Sequence, residues 1–216
     1  MVISLEEFRN IINTQSYIFH IHTNYTDGKS SVEDYFKYAK STRVKYLIFT
    51  EHVRKNLTYN FDFFIQDIQE KCKNYDGIKG IVGCEAKILP DGSLDISEQI
   101  LSKLEVICIA CHLNMDSEIY GELIKRVFTS NTYRNHIKVW VHPGLFLKKN
   151  SILYDKLDYL RDLVKIAICN DILIEKNLKY QLPPLEILYD IPEKFIILGY
   201  DAHSIEDLEK KDSMSF

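Results

Sequence analysis

Short apolar segments alternate with amphipathic segments along almost the whole sequence, and this alternation limits the possible fold more than any other feature. Seven runs rich in β-branched and aromatic residues predict strands, at 16–23, 45–52, 78–89, 104–113, 137–144, 171–177 and 194–203. Nearly all are apolar on both faces, which is typical of a parallel sheet covered by helices. Intervening segments have helical spacing, at 30–41, 61–72, 116–128, 152–168 and 183–190. The pattern predicts an α/β protein of repeated strand–helix units.

The composition fits one folded domain over residues 1–216. Of these residues, 46% are hydrophobic and 27% are charged, which excludes a disordered chain. No apolar run approaches the roughly 20 residues of a membrane-spanning helix, so we expect no membrane partner. The first residues do not resemble a secretion signal and the five cysteines are an odd number, so we expect a cytoplasmic protein with reduced thiols. The net charge of −4 disfavours nucleic acid as a partner.

Charged or imidazole side chains stand at the carboxyl end of every predicted strand. They recur about every 30 residues, which is the length of one strand–helix unit. Six of the seven histidines are among them. The full set is His20, His22, His52, Glu85, His112, His142, Glu175, Asp201 and His203, with Asn177 beside them. The carboxyl ends of parallel strands meet at one face, where barrel enzymes of this kind carry their active sites. We therefore expect these side chains to gather around one mouth.

Imidazoles and carboxylates at one mouth are the ligands of borderline divalent cations. Neutral histidine nitrogens and carboxylate oxygens together suit Zn, Mn or Fe. The candidate donors exceed the four that one tetrahedral ion takes, which indicates more than one ion. Two ions bridged by a carboxylate bind a phosphate and activate a water molecule for in-line displacement.

Seven segments resemble, in order, the motifs of the PHP (polymerase and histidinol phosphatase) domain: HIHTNYTDG, FTEH, GCEAKILPDGSLD, ACH, VHPG, IEKN and GYDAH. The resemblance extends over roughly 17–207. It implies a distorted, TIM-like (β/α) barrel of seven strands that holds up to three metal ions, and it implies phosphoesterase activity. The strand count from the hydrophobic pattern agrees with this fold.

The resemblance also implies which residues bind the ions. The first site would use His20, His22, Glu85 and Asp201. The second would use Glu85, His112 and His142. The third would use Asp27, His52 and His203. Glu85 would bridge the first two ions, a water between two ions would be the nucleophile, and the third ion would help to neutralise the phosphate.

Two parts of this assignment keep an alternative. Asp27 lies in TDG, a sequence that is also common in ordinary turns in which the aspartate caps its own backbone. Glu175 and Asn177 either support the ligands from behind or pack in the barrel interior. Lys176 lies between them and should point away from the pocket, because side chains alternate along a strand.

Arg54 is the first candidate for holding the substrate. It follows His52 by two residues, and a guanidinium can bind a phosphate through two hydrogen bonds. Lys87, Lys179 and Arg134 are further candidates. For each of the four, a solvated surface charge is the alternative.

The leading function is hydrolysis of a small-molecule phosphate monoester by Glu85, Asp201 and Arg54 with two to three divalent ions. A metal-dependent nuclease or phosphodiesterase is the main alternative and would need a basic track beside the pocket. An amidohydrolase-like hydrolase and a non-catalytic binding domain are less favoured, since amidohydrolase barrels usually have eight strands and an inactive relative would tend to lose ligands. The pattern does not select one ester, one metal or an oligomeric state.

Overall fold

The sheet contains seven parallel strands, each hydrogen-bonded to the next in chain order, in a computed structural model that describes residues 3–112 and 116–212. The strands are β1 (Tyr17–Ile21), β2 (Tyr46–Val53), β3 (Lys79–Lys87), β4 (Val106–Ala110), β5 (Ile137–Trp140), β6 (Ile172–Asn177) and β7 (Ile196–Gly199). All seven lie within or at one residue of the predicted segments. Leu113, the end of one predicted strand, lies outside the described residues.

Backbone hydrogen bonds join the chain after β7 to β1 and nearly close the sheet into a barrel. The N–H of Tyr200 donates to the carbonyl of Phe19 at 3.0 Å, and the N–H of His22 donates to the carbonyl of Ala202 at 2.8 Å. The N–H of Ala202 in turn donates to the carbonyl of His20 at 2.9 Å. The predicted seven-stranded (β/α) barrel is therefore confirmed.

Helices connect the strands and cover the outside of the barrel. They are α1 (Leu5–Asn13), α2 (Val32–Thr42), α3 (Phe61–Asn74), α4 (Glu98–Leu101), α5 (Ser117–Phe128), α6 (Leu145–Lys149), α7 (Leu157–Cys169), α8 (Leu185–Leu188) and α9 (Ile205–Asp212). Short 3-10 turns occur at Asn131–Tyr133, Tyr154–Lys156 and Glu193–Phe195. None of the described helices combines the length and the apolar character needed to cross a bilayer.

The differences from the predicted elements have local causes. The helix predicted from 152 begins at Leu157, because Tyr154–Lys156 forms a 3-10 turn before it. Helix α1 was not predicted, although Ser4 and Glu7 form a capping box at its start. Its apolar side chains Phe8 and Ile11 are buried against the barrel.

Both faces of the strands are buried, as the sequence predicts for a helix-covered parallel sheet. The outward face packs against the helices, for example Phe49 against Phe36 of α2 and Phe64 of α3. Inside the barrel, polar side chains replace apolar ones towards the carboxyl ends of the strands. Glu85, Glu175 and Asp201 are among the buried carboxylates there, and they form the floor of the candidate site.

Candidate metal centre

Glu85, near the end of β3, lies at the middle of the cluster of histidines. Its Oε2 atom is 2.9 Å from Nε2 of His20 and 3.3 Å from Nε2 of His22. Its Oε1 atom is 2.8 Å from Nε2 of His112 and 3.5 Å from Nε2 of His142. The two oxygens of one carboxylate therefore face two separate pairs of imidazoles, and the side chain is only 3% exposed.

These contacts shift the titration of the groups in opposite directions. Burial alone would raise the pKa of Glu85, but the surrounding imidazoles of His112, His142, His20 and His22 hold its pKa well below the ordinary value. Burial also opposes the charged form of His20, yet Glu175 and Glu85 raise the pKa of His20 well above the ordinary value. Burial dominates at His22 and lowers its pKa to about 4, so this imidazole is neutral near pH 7.

A second group of donors surrounds Asp27, on the loop after β1. Its Oδ2 atom is 3.4 Å from Nε2 of His52 and 3.4 Å from Nε2 of His203. Its burial would raise the pKa of Asp27, but His52, His22 and His203 hold that pKa below the ordinary value. The turn that carries Asp27 therefore points its carboxylate towards two histidines, one at the end of β2 and one after β7.

Asp201 lies between the two groups. Its Oδ1 atom is 4.0 Å from Nε2 of His20, 3.8 Å from Nε2 of His22 and 3.5 Å from Nδ1 of His203. Burial acts to raise the pKa of Asp201, and the neighbouring His20 and His22, with Lys179, hold it below the ordinary value. The structure thus brings all nine sequence-predicted ligands into one continuous cluster.

The tightest donor sets differ in two details from those that the resemblance implies. Among the described residues, three sets have ligand atoms within 4.8 Å of one another: His20, His22 and Glu85; Glu85, His112 and His142; and His22, Asp27, His52 and His203. His22 therefore belongs to two sets. Asp201 belongs to none of the three.

The donors present fit divalent cations. His22 is fully buried, yet neither of its ring nitrogens has a hydrogen-bond partner within the described ranges, and Nδ1 of His142 has none either. A buried polar atom without a partner is costly, and a bound cation would supply the missing partner. Imidazole nitrogens mixed with carboxylate oxygens suit Zn, Mn or Fe.

Three candidate ligands have an unusual backbone conformation. The φ angles of His20, His142 and Asp201 are +70°, +35° and +49°, in the left-handed region that side-chain-bearing residues rarely adopt. The pairing register of β1 with β2 also shifts between Phe19 and Ile21, around His20. Such conformations persist where the surrounding structure fixes them, and they concentrate at functional sites.

Glu175 lies behind the cluster, fully buried at the end of β6. Its Oε1 is 2.5 Å from Nδ1 of His20, and its Oε2 accepts from the backbone N–H of His142 at 2.5 Å and from Nδ2 of Asn177 at 3.0 Å. The sequence left open whether Glu175 and Asn177 support ligands or pack in the interior. The contacts place Glu175 in support of two candidate ligands, while Lys176 is exposed on the outer face as predicted.

A cleft of about 620 Å³ opens beside the cluster. Asp27, Glu85, His52 and His112 line its inner end. Its other lining residues include Arg54, Lys87, Asn56, Tyr25 and Tyr59. The Nζ of Lys87 forms an ion pair with Asp95 at 3.5 Å. Arg54 and Lys87 therefore border the space next to the candidate ligands.

The two remaining basic candidates lie in different places. The Nζ of Lys179 is 3.3 Å from Oδ1 of Asp201 and 3.3 Å from Nδ1 of His203, at the edge of the cluster. Arg134 lies on the turn that leads into β5, at the amino ends of the strands. The expectation that Arg134 lies near the site is therefore wrong, because a residue just before a strand of this barrel is at the end opposite the mouth.

Glu51 is a feature of the site that the sequence analysis missed. It precedes His52 on β2, is fully buried, and hydrogen-bonds to the loop that carries Asp27. Burial raises the pKa of Glu51 to about 7, against hydrogen bonds from Thr23 and Thr26 that lower it. An acidic residue at the end of an otherwise apolar strand was the signal available in the sequence.

The sequence model of the PHP domain family matches residues 19–178 of the chain. The chain therefore belongs to the PHP domain family, and the resemblance of its motifs is confirmed. The DNA polymerase/3'-5' exonuclease PolX of Bacillus subtilis (strain 168) is 22% identical over 202 residues, which are 88% of this chain and 34% of PolX. The DNA polymerase III subunit alpha of Treponema pallidum (strain Nichols) is 31% identical over 86 residues, 39% of this chain and 7% of that protein. The chain thus spans about a third of PolX and a small part of the polymerase subunit.

Two solved structures have the same fold over nearly their whole length. HisK of Listeria monocytogenes, described as a histidinol phosphatase, superposes with a TM-score of 0.71 at 15% identity, covering 93% of this chain and 100% of that one. The histidinol phosphate phosphatase of Lactococcus lactis superposes with a TM-score of 0.60 at 16% identity, covering 92% and 91%. The latter structure is a complex with Zn, L-histidinol and phosphate.

Proposed function

We propose that this protein is a metal-dependent phosphoesterase that hydrolyses a small phosphate monoester with the help of two to three divalent ions, Zn, Mn or Fe. The proposal rests chiefly on Glu85, whose two oxygens face separate pairs of histidines. Membership of the PHP family and the likeness in fold to histidinol phosphatases support a metal-dependent phosphoesterase. The Zn, L-histidinol and phosphate in the Lactococcus lactis structure support a zinc site and a small substrate.

The ligands would be the nine residues of the cluster: His20, His22, Asp27, His52, Glu85, His112, His142, Asp201 and His203. When bound, divalent ions lower the pKa of a water molecule and neutralise phosphate charge, which is what ester hydrolysis needs. Glu85 would hold two ions at a fixed separation. Glu175 would keep the proton of His20 on Nδ1, so that Nε2 is left unprotonated as a metal ligand that faces the centre.

The basic residues around the mouth would bind and orient the ester. Arg54 in the cleft would hold phosphate oxygens through its paired N–H groups, and Lys87 would add a second positive charge. Lys179 would contribute from the other side, next to Asp201. The cleft of about 620 Å³ has a volume typical of small-molecule sites.

A nuclease or phosphodiesterase is the second candidate, because both curated relatives are DNA polymerases. The positions of two basic stretches weigh against it. Lys40 and Arg43 are at the end of α2, and Lys125 and Arg126 are in the last turn of α5. Both helices end where the chain enters the next strand, at the amino ends of the barrel strands. None of these four residues lines the cleft beside the donor cluster.

A comparison of three substrates with one metal-loaded preparation tests the proposal. The protein is stripped with a chelator, reloaded with Zn, Mn or Fe, and given p-nitrophenyl phosphate, bis-p-nitrophenyl phosphate and a single-stranded oligonucleotide. We expect the monoester to be cleaved fastest, and activity to return only with metal. Glu85→Gln, prepared in parallel, reports any contaminating phosphatase.

Two outcomes would contradict the proposal. Cleavage of the oligonucleotide and the diester alone, with a rate that falls steeply as salt rises, would identify a nuclease. Stoichiometric metal binding without hydrolysis of any ester, including a wider panel of phosphorylated metabolites, would identify a binding domain.

A further inference from the structure

The loop between β1 and α2 folds tightly back on itself and carries Asp27 at its outer end. The N–H groups of Thr26 and Gly28 both donate to the carbonyl of Thr23, at 3.1 and 3.0 Å. A Cβ atom at Gly28 would lie 2.4 Å from the carbonyl oxygen of His22, so only glycine fits at this close approach. The loop therefore has one compact shape, and its position on the barrel decides where Asp27 points.

Glu51 ties this loop to β2. Its Oε1 accepts from the backbone N–H of Thr23 at 2.5 Å, and its Oε2 accepts from the hydroxyl of Thr26. The same Thr26 hydroxyl lies 3.3 Å from Oδ1 of Asp27. Glu51 is fully buried, and within residues 3–112 and 116–212 it forms no ion pair with a basic side chain. A buried carboxylate with neutral partners is costly to fold, which calls for a role that offsets the cost.

Two neighbouring residues of β2 thus act on the donor set at Asp27: His52 is a member of the set, and Glu51 binds the loop that carries Asp27. Side chains alternate along a strand, so His52 faces the centre while Glu51 faces the loop. Asp27 meets His52 at 3.4 Å from the opposite side, and its own side chain is 55% exposed. A half-exposed aspartate on a loop depends on such a tie to remain at a fixed distance from the imidazoles.

We infer that Glu51 is a positioning residue that, through Thr23 and Thr26, holds Asp27 in place to bind a divalent ion together with His22, His52 and His203. The inference rests on the proposed function only in that this donor set binds a cation. Glu51 itself would contact neither the substrate nor the ion. The two buried carboxylates would support different ligands: Glu175 supports His20, and Glu51 supports Asp27.

The number and affinity of bound ions test this role. Zn²⁺ is titrated into the metal-free protein, and bound ions are counted by equilibrium dialysis with elemental analysis. We expect wild-type protein to bind Zn²⁺ in two classes of different affinity. The ion at Asp27 belongs to the class of weaker affinity. In Glu51→Gln and Thr26→Val the weaker class should lose about 10- to 100-fold in affinity, the range for removal of a supporting group, while the tighter class is unchanged.

Matched variants separate positioning from general damage. Thr26→Ser keeps the hydroxyl and should bind as wild type does. Glu105→Gln changes another carboxylate that accepts a backbone N–H, from Val82 at 2.9 Å, at the amino end of the barrel, and should also have no effect. Because Glu51 acts through Asp27, adding Glu51→Gln to Asp27→Ala should cause little further loss.

The inference is overturned if Thr26→Val and Glu51→Gln bind Zn²⁺ as wild type does, or if their losses add fully to that of Asp27→Ala. Circular dichroism and thermal melting check that each variant folds, and an unfolded Glu51→Gln leaves Thr26→Val to decide. A different measurement would show that the proposed function is wrong. In that case wild-type protein does not hydrolyse esters, whatever these variants do to metal binding.

Discussion

The Nδ1 atom of His20 lies 2.5 Å from Oε1 of Glu175, with both side chains fully buried. In Glu175→Gln, the amide must place its NH₂ group against His20 or against the N–H of His142, and both of these are donors. We expect metal affinity to fall about 10- to 100-fold, as for other groups that orient a metal-binding histidine. Calorimetric titration with Zn²⁺ measures this loss. The control is Lys176→Gln, one residue along the strand and pointing outwards, and equal affinity in the two variants would count against the role of Glu175.

Gly199 has no side chain, and the carboxylate of Glu175 occupies the space where one would lie. A Cβ atom at position 199 would lie only 1.8 Å from Oε1 of Glu175, so Gly199→Ala must displace this carboxylate. We expect a loss of about 1–3 kcal/mol in the free energy of unfolding of the metal-free protein, which is typical of an overpacked interior. Urea denaturation measures it. Metal affinity should fall as well, and a variant as stable and as tight-binding as wild type would show that Glu175 moves without cost.

Replacement of Glu85 by glutamine removes the charge between the two histidine pairs but keeps the size of the side chain. We expect turnover of a phosphate monoester to fall at least ~10²-fold, because the paired ions lose their common ligand. The metal content of the same sample, from elemental analysis, should fall in parallel. Near-wild-type turnover would refute the bridging role of Glu85.

Metal binding should release a proton near neutral pH. Burial opposes the charged form of His20, but Glu175 and Glu85 raise its pKa well above the ordinary value, which favours the protonated ring in the metal-free protein. A cation binds only the neutral ring, and it must therefore expel the proton from Nε2. Affinity should rise with pH, by up to about tenfold per unit for one proton, and level off above the pKa of His20. His22, with a pKa of about 4, adds no dependence in this range.

Calorimetry in two buffers with different ionisation enthalpies counts the released protons. A proton count of zero at pH 7, or affinity that does not change between pH 6 and 8, would contradict the assigned state of His20.

Replacement of Arg54 by alanine should act on substrate binding more than on turnover. Arg54 lines the cleft next to His52, so its loss should raise KM roughly tenfold or more, in the range for one charge-assisted contact to phosphate. Arg134→Ala is the matched control, because Arg134 lies at the opposite end of the barrel. Steady-state kinetics with a monoester give both constants. An unchanged KM in Arg54→Ala would move phosphate binding to Lys87 or Lys179.

The strand–helix order and the face that carries the polar cluster were both predictable from sequence. Parallel strands about 30 residues apart put their carboxyl ends together whatever the details of packing, so His52 and His142 could be placed at one mouth without coordinates. The contact of Glu51 in β2 with the loop after β1 could not be predicted in this way. Whether Glu51 faces a helix, the solvent or a neighbouring loop depends on the path of residues 22–28, which follows from backbone hydrogen bonds that no local pattern encodes.

The predicted position of Arg134 was wrong for a related reason. Sequence distance to a motif indicates which strand a residue lies near, but the end of the strand is decided by whether the residue precedes or follows it. Arg134 precedes β5, whereas His142 follows it. Helix α1 was not predicted either, although Ser4 and Glu7 carry a helix start signal.

The seam between the first and last strands has a consequence for the order of events in the cell. The backbone hydrogen bonds that join His20 and His22 to Ala202 also place Asp201 and His203 beside these histidines. A ribosome still translating the residues before β7 holds a chain that lacks both side chains and the closing hydrogen bonds. At about 5–20 residues per second, His22 is made on the order of ten seconds or more before Asp201. Cation loading that requires the complete donor set must therefore wait until nearly the whole barrel has been synthesised.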